Sequence, residues 1–198
     1  DKNRALAIEP ARSTPPLKQL VHQGIGACVA SLTTGKMKNF RLDAFKSWAE
    51  KLESSKAADS WEKIFPPGRL MYQALRSVTE YIEYSGTGGG LYRPLFAEFL
   101  AEAAGALDDR KLKALSDRYA ELGRQWSALA DAALPDAVPA FRKAKEQLAQ
   151  EAKVEPEMTG GFPLGDAESA ALRRELKGRV AALYEGEVAG LEALRTWL

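Results

Sequence analysis

Between residues 112 and 129, Leu112, Leu115, Tyr119, Leu122, Trp126 and Leu129 recur at alternating steps of three and four. That spacing is a heptad seam. It lays one apolar stripe along a helix and requires a second helix alongside it at a shallow angle. The same period runs through most of the chain. Residues 17 to about 32 carry Leu17, Leu20, Val21, Ile25, Cys28, Val29 and Leu32, and a second stripe carries Leu42, Phe45, Trp48, Ala49 and Leu52. Leu70, Met71, Ala74, Leu75, Val78, Tyr81 and Ile82 precede a glycine-rich stretch, and Leu95, Phe96, Phe99, Leu100 and Ala103 follow it. A further helix is predicted from about 138 to 152, and the stripe from Leu172 through Leu183 and Val188 to Leu198 carries the last one. No segment alternates as a strand does. The fold class is therefore all-α, a bundle of about six to eight helices.

Helix boundaries follow from local chemistry. Asp59-Ser60-Trp61-Glu62 has the form of a capping box and predicts a short helix with Trp61, Ile64 and Phe65. Asp108 is the expected N-cap of the seam helix, which stops near Leu134-Pro135, and Asp166 the expected cap of the last helix. Pro156, Gly160, Gly161, Pro163 and Gly165 mark 154–165 as a loop. The 198 residues suggest one domain, with 1–16 an N-terminal arm or linker broken by Pro10, Pro15 and Pro16, and 17–198 a single helical domain.

The break between the two central helices is Gly86-Thr87-Gly88-Gly89-Gly90-Leu91-Tyr92-Arg93-Pro94. Four closely spaced glycines cannot continue a helix, and they let another molecule reach the main chain. Pro94 suits the first turn of the next helix, whose free N–H groups would gather beside Arg93 as a seat for a carboxylate, phosphate or carbonyl. Gly86, Thr87, Gly88, Gly89, Gly90, Tyr92 and Arg93 are thus the candidate ligand-binding residues. The plainer alternative is a helix-to-helix turn with glycine as the C-terminal cap. The stretch follows a helix, so it fits neither the Walker A nor the dinucleotide motif, both of which need a preceding strand.

Other chemistry is sparse. The formal net charge is +1, from 28 basic and 27 acidic residues, so no electrostatic footprint for nucleic acid exists. No apolar run is long enough to span a membrane. One cysteine precludes an internal disulfide and fits a reducing, cytoplasmic setting. Cys28 and His22 lie six residues apart on one predicted helix, about 120° apart in azimuth and about 9 Å along the axis, so they cannot pair within it. Cys28 is expected to be a small buried residue, and His22 a surface or packing residue. Neither a zinc set nor a di-iron carboxylate pattern can be assembled, so no metal and no cofactor is expected. Glu80, Glu83, Glu98 and Glu102 read as a solvated face. Trp48, Trp61, Trp126 and Tyr119 lie on apolar stripes and read as core. No catalytic set is visible.

Tyr81-Ile82-Glu83, Gly86-Thr87-Gly88-Gly89-Gly90 and Tyr92-Arg93-Pro94-Leu95-Phe96-Ala97-Glu98-Phe99-Leu100-Ala101-Glu102-Ala103-Ala104 together resemble the C-terminal domain of the butirosin biosynthesis protein H family. Similar order and spacing extend from Gly24 through Trp48-Ala49 to Trp61 and Phe65, and over Leu122-Gly123 and Trp126. The resemblance is least at 1–16 and 154–165. It implies a C-terminal domain of unknown function in a longer acyltransferase of antibiotic biosynthesis. In that family an N-terminal, papain-like cysteine-peptidase domain supplies the nucleophile and an acyl carrier protein supplies the acyl group. No residue here matches that cysteine or histidine. By this resemblance the chain is a helical accessory domain, inactive alone. A further expectation, which the family itself does not establish, is that Gly86 to Arg93 face the N-terminal domain. The alternative is an interaction or homo-oligomerisation module with no enzymatic role.

Overall fold

The computed structural model describes residues 14–53, 56–150 and 161–198. These form eight α-helices and no strand among the described residues: α1 (Leu17–Thr34), α2 (Asp43–Glu53), α3 (Trp61–Ile64), α4 (Arg69–Thr79), α5 (Arg93–Leu107), α6 (Arg110–Ala133), α7 (Pro139–Ala149) and α8 (Asp166–Trp197). The sequence-predicted end of α7 at 152, most of the 154–165 loop and nearly all of the 1–16 arm lie outside the described residues.

The seam behaves as its period requires. All six of its residues are buried, and α6 packs against both α5 and α8. The apolar residues sort into two clusters that share α6 and α8. One gathers Leu52, Leu75, Trp126, Leu129, Phe141 and Leu176 with their neighbours from α2, α4, α6, α7 and α8. The other gathers Ile25, Leu100, Leu112, Leu122 and Leu194 with their neighbours from α1, α5, α6 and α8. Between them, at residues 122–126 of α6 and 183–191 of α8, lies a waist where the helices come very close. A Cβ on Gly186 would stand 2.8 Å from Leu122 Cδ2.

Several boundaries differ from the sequence reading. The N-cap of α6 is Asp109, whose Oδ1 accepts from the N–H groups of Lys111 and Leu112; Asp108 instead closes α5 in a left-handed conformation. Asp59 does not cap α3. Ser60 occupies the N-cap position without a side-chain cap bond, and Asp59 reaches back 2.5 Å to Lys51. Gly165 precedes α8, and Glu168, not Asp166, accepts its N–H at 2.8 Å.

The stripe before the glycine loop is also rotated. Met71, Tyr72, Leu75, Thr79 and Ile82 face inward, whereas Leu70 and Tyr81 are exposed. After Thr79 the helix widens into a π-turn, Glu80–Tyr84, closed by Ser85 N–H donating to Glu80 O five residues back. The wider turn sets Ile82 inward and Tyr81 outward. After the loop, Ala97, Leu100, Ala103 and Ala104 are buried, while Leu95 and Phe99 face out. The small side chains let α5 approach α6 closely, and Ser116 Oγ donates to Ala97 O at 2.8 Å across the contact.

Candidate functional site

Two features converge on Trp126: the glycine loop, and a groove beside it. The loop's main chain is left-handed at Gly86, Gly88, Gly89 and Gly90, then at Leu91 (φ 49°) and Tyr92 (φ 64°). Gly90 is required at its position. A Cβ there would stand 2.7 Å from the carbonyl oxygen and 2.9 Å from the Cα of Gly123, and Gly123 in turn admits the Pro94 ring. Backbone lies against backbone, which no side chain permits.

The loop's polar groups turn inward. Buried Thr87 donates its Oγ1–H to Ile82 O at 2.7 Å and accepts Gly89 N–H at 3.3 Å. Gly90 N–H donates to Glu83 Oε1 at 3.4 Å, and Gly86 N–H to Tyr84 O at 2.9 Å. Arg93 donates Nε–H to Glu187 Oε1 at 2.7 Å and a terminal N–H to Leu91 O at 2.9 Å, with its guanidinium 5.8 Å from the Trp126 ring centre. Trp126 Nε1–H donates to the same Glu187 oxygen at 2.8 Å. Glu187 is 1% exposed, so this carboxylate joins loop, α6 and α8 inside the waist. Of the seven sequence-predicted ligand residues, Thr87 and Gly90 are buried, Gly89 and Arg93 are partly covered, and Gly86, Gly88 and Tyr92 face solvent.

Glu187 went unnoticed in the sequence. Its signal was its register: it stands four residues after Leu183 and four before Leu191, on the apolar stripe. Nearby, Tyr119 is buried on α6. Burial first, then the Glu187 carboxylate, push its phenol well above the usual tyrosine range.

The groove lies on the other side of Trp126. Phe45 and Trp48 of α2, Trp61 and Phe65 at α3, and Leu70, Ala74 and Val78 of α4 line it, with Leu91 and Trp126 also in the lining. Its volume is about 520 Å³. Trp48 and Trp61, expected in the core, are only partly covered and form its wall. The rings are in edge or tilted contact, Phe45–Trp126 at 5.2 Å, Trp48–Trp61 at 6.4 Å and Trp61–Phe65 at 5.1 Å between centroids. Among the described residues no carboxylate, amine or guanidinium contributes to the lining, whose polar members are Gln73, Ser77 and Tyr81.

The lone imidazole packs away from both features, whereas the lone thiol lies within electrostatic reach of Arg93. His22 stacks on Trp197 at 4.2 Å, a packing role. Cys28 is exposed and not, as expected, buried, because α1 turns Val21, Ile25 and Val29 inward. Partial burial still raises its thiol pKa, and Arg93 partly offsets this. Among the described residues no group of three or more His, Cys, Asp or Glu side chains is placed to hold a metal ion, and no helix is long and apolar enough to cross a membrane.

No curated protein matches the chain, and no solved structure does. The profile of one family, described as Domain of unknown function (DUF4872), matches residues 1–160, which include the groove and the glycine loop but not α8 with Glu187. The chain belongs to this DUF4872 family.

Proposed function

We propose that this domain is a helical accessory domain of a papain-like, cysteine-dependent acyl or peptidyl transferase, and that it holds part of the acyl group for that enzyme. The observation that carries the reading is the groove. Its volume of about 520 Å³ falls inside the roughly 300–1,000 Å³ typical of small-molecule sites, and aromatic walls with a few neutral polar groups are the usual lining of such sites. The nucleophile belongs to the N-terminal domain implied by the resemblance, and the solvent-facing part of the glycine loop, Gly86, Gly88 and Tyr92, is the edge offered to it. The acyl donor is an acyl carrier protein, and the setting is cytoplasmic antibiotic biosynthesis.

The test is intact-mass analysis of the protein from its native source, followed by a transfer assay. A mass well above 21.6 kDa, with a cysteine-bearing domain ahead of residue 1, is expected. In that full-length protein Ala74→Trp, which fills the groove, should raise KM for the acyl donor more than it lowers kcat. A native mass near 21.6 kDa would overturn the reading.

The rival reading, an interaction or homo-oligomerisation module, is favoured by the exposed apolar end of α1, where Leu17 and Leu20 are 51% and 39% exposed. Concentration-dependent sedimentation that Leu17→Ser with Leu20→Ser abolishes would support it.

A further inference from the structure

We infer that the groove takes a neutral amphiphile, an alkyl chain ending in an uncharged carbonyl group such as an amide or thioester, and that it discriminates against a carboxylate end. The inference rests on the reading of the groove as an acyl-holding site and specifies its ligand class.

The argument is one of charge complementarity. Among the described residues the lining has no cation to pair with a carboxylate. Burying an unpaired carboxylate costs several kcal/mol, by order of magnitude, so an anionic end is excluded where the ligand lies in the groove. Apolarity alone would suit any hydrocarbon, but α4 adds a second pattern. Leu70, Ala74 and Val78 repeat every four residues from the groove's lip inward, and Gln73, Ser77 and, in the π-turn that continues α4, Tyr81 repeat every four residues beside them. Residues four apart lie on one helical face, so the second set is a strip of neutral hydrogen-bonding groups about 12 Å long. The side chains of Gln73, Ser77 and Tyr81 make no hydrogen bond among the described residues. An amide, two hydroxyls and a hydrocarbon wall match a ligand with a carbonyl on one edge and a chain below it. Trp48, Trp61 and Trp126, three of the four tryptophans, lie in this lining, so occupancy should be visible in their emission.

The experiment titrates the 198-residue chain with octanamide and octanoate by calorimetry and tryptophan emission. Octanamide is expected to bind saturably at one site, with a blue-shifted emission that persists in Trp197→Phe. Its affinity should exceed that of octanoate by about tenfold or more. Ala74→Trp should remove the binding. Gln73→Ala with Ser77→Ala, both half-buried side chains on the groove side of α4, should weaken octanamide by about threefold to tenfold. Equal or tighter binding of octanoate would overturn the inference. So would no saturable binding of octanamide, or binding that Ala74→Trp leaves unchanged while its urea unfolding matches the parent. A dimer dispersed by Ala74→Trp would also overturn it, by assigning the groove to a second copy. No probe carries a thioester and no nucleophile is needed, so failure here leaves the accessory-domain reading to its own mass and transfer test.

Discussion

Trp126 belongs to two regions that treat it in opposite ways. Its indole N–H points into the waist, where Glu187 accepts it and Arg93 closes the same carboxylate. Its ring also lines the groove, where Phe45 meets it edge-on. In the waist, charge is buried, glycines bring backbones into contact, and most polar groups of the loop have partners within the protein. In the groove, aromatic surface is left partly open and the side chains of Gln73, Ser77 and Tyr81 make no hydrogen bond among the described residues. The waist has the construction of a brace and the groove that of a binding surface. The contrast implies that changes in the waist should act on stability, whereas changes in the groove should act on binding.

The largest effect should come from the waist's charge. Glu187→Ala leaves the Arg93 guanidinium, whose side chain is 14% exposed, without its carboxylate. Removing one partner of a buried pair typically costs about 3–5 kcal/mol, a large share of a domain's total stability. Arg93→Ala should cost a similar amount, so any loss of ligand binding it caused would have to be separated from loss of fold. Urea denaturation measures both. A loss below about 1 kcal/mol for either variant would break the comparison, because the waist would then not be a brace.

Gly90→Ala should come next. The added Cβ meets Gly123 backbone at 2.7 Å, and the residue sits at φ 52°. Over-packing costs about 1–3 kcal/mol, and the left-handed conformation adds about 1–2. Gly86→Ala meets nothing within 4 Å and pays only for its φ of 74°. The difference between the two melting temperatures isolates the backbone contact from the conformational cost.

These two regions also show what could be read before the structure. The α6 seam was legible because a period of three and four is a property of one helix, and every seam residue proved buried. The heptad says that a stripe is apolar, but not whether something covers it. Trp48 and Trp61 therefore read as core, although they wall an open groove. The π-turn at Glu80–Tyr84 has no sequence signature, yet it decides that Ile82 turns in and Tyr81 turns out. Arg93 was singled out for a charge beside bare backbone. Its partner stands 94 residues away in sequence, and only packing could bring the two together.

A smaller test concerns the far end of the α6–α8 pair. Asp109 caps α6 through Oδ1 and accepts Trp197 Nε1–H on Oδ2 at 2.9 Å. The Trp197 hydrogen bond first, and the capped N–H groups after it, hold its pKa below the usual aspartate range. A depressed folded pKa means that the stabilisation is present above the unfolded value of about 3.9 and is lost as pH falls through the folded value. Asp109→Ala should cost about 1 kcal/mol at pH 7 as a lost cap. That difference from the parent should shrink as the pH is lowered below 4. A pH-independent difference would mean that the carboxylate's charge contributes nothing.

The smallest stability effect should be at the groove's lip, and there a null result is informative. Leu70 is 50% exposed and Tyr81 65% exposed, so Leu70→Ser and Tyr81→Ser remove apolar surface of which folding leaves half or more in water. Each should shift unfolding by no more than about 0.5 kcal/mol, against the several kcal/mol expected for Glu187→Ala. Both residues nevertheless line the groove. The same two substitutions should therefore weaken octanamide binding while leaving the urea midpoint in place. If they lowered stability by 2 kcal/mol or more, the lip would be part of the core's own packing. The distinction between a brace that folds the domain and a surface left open for something else would then fail at the groove.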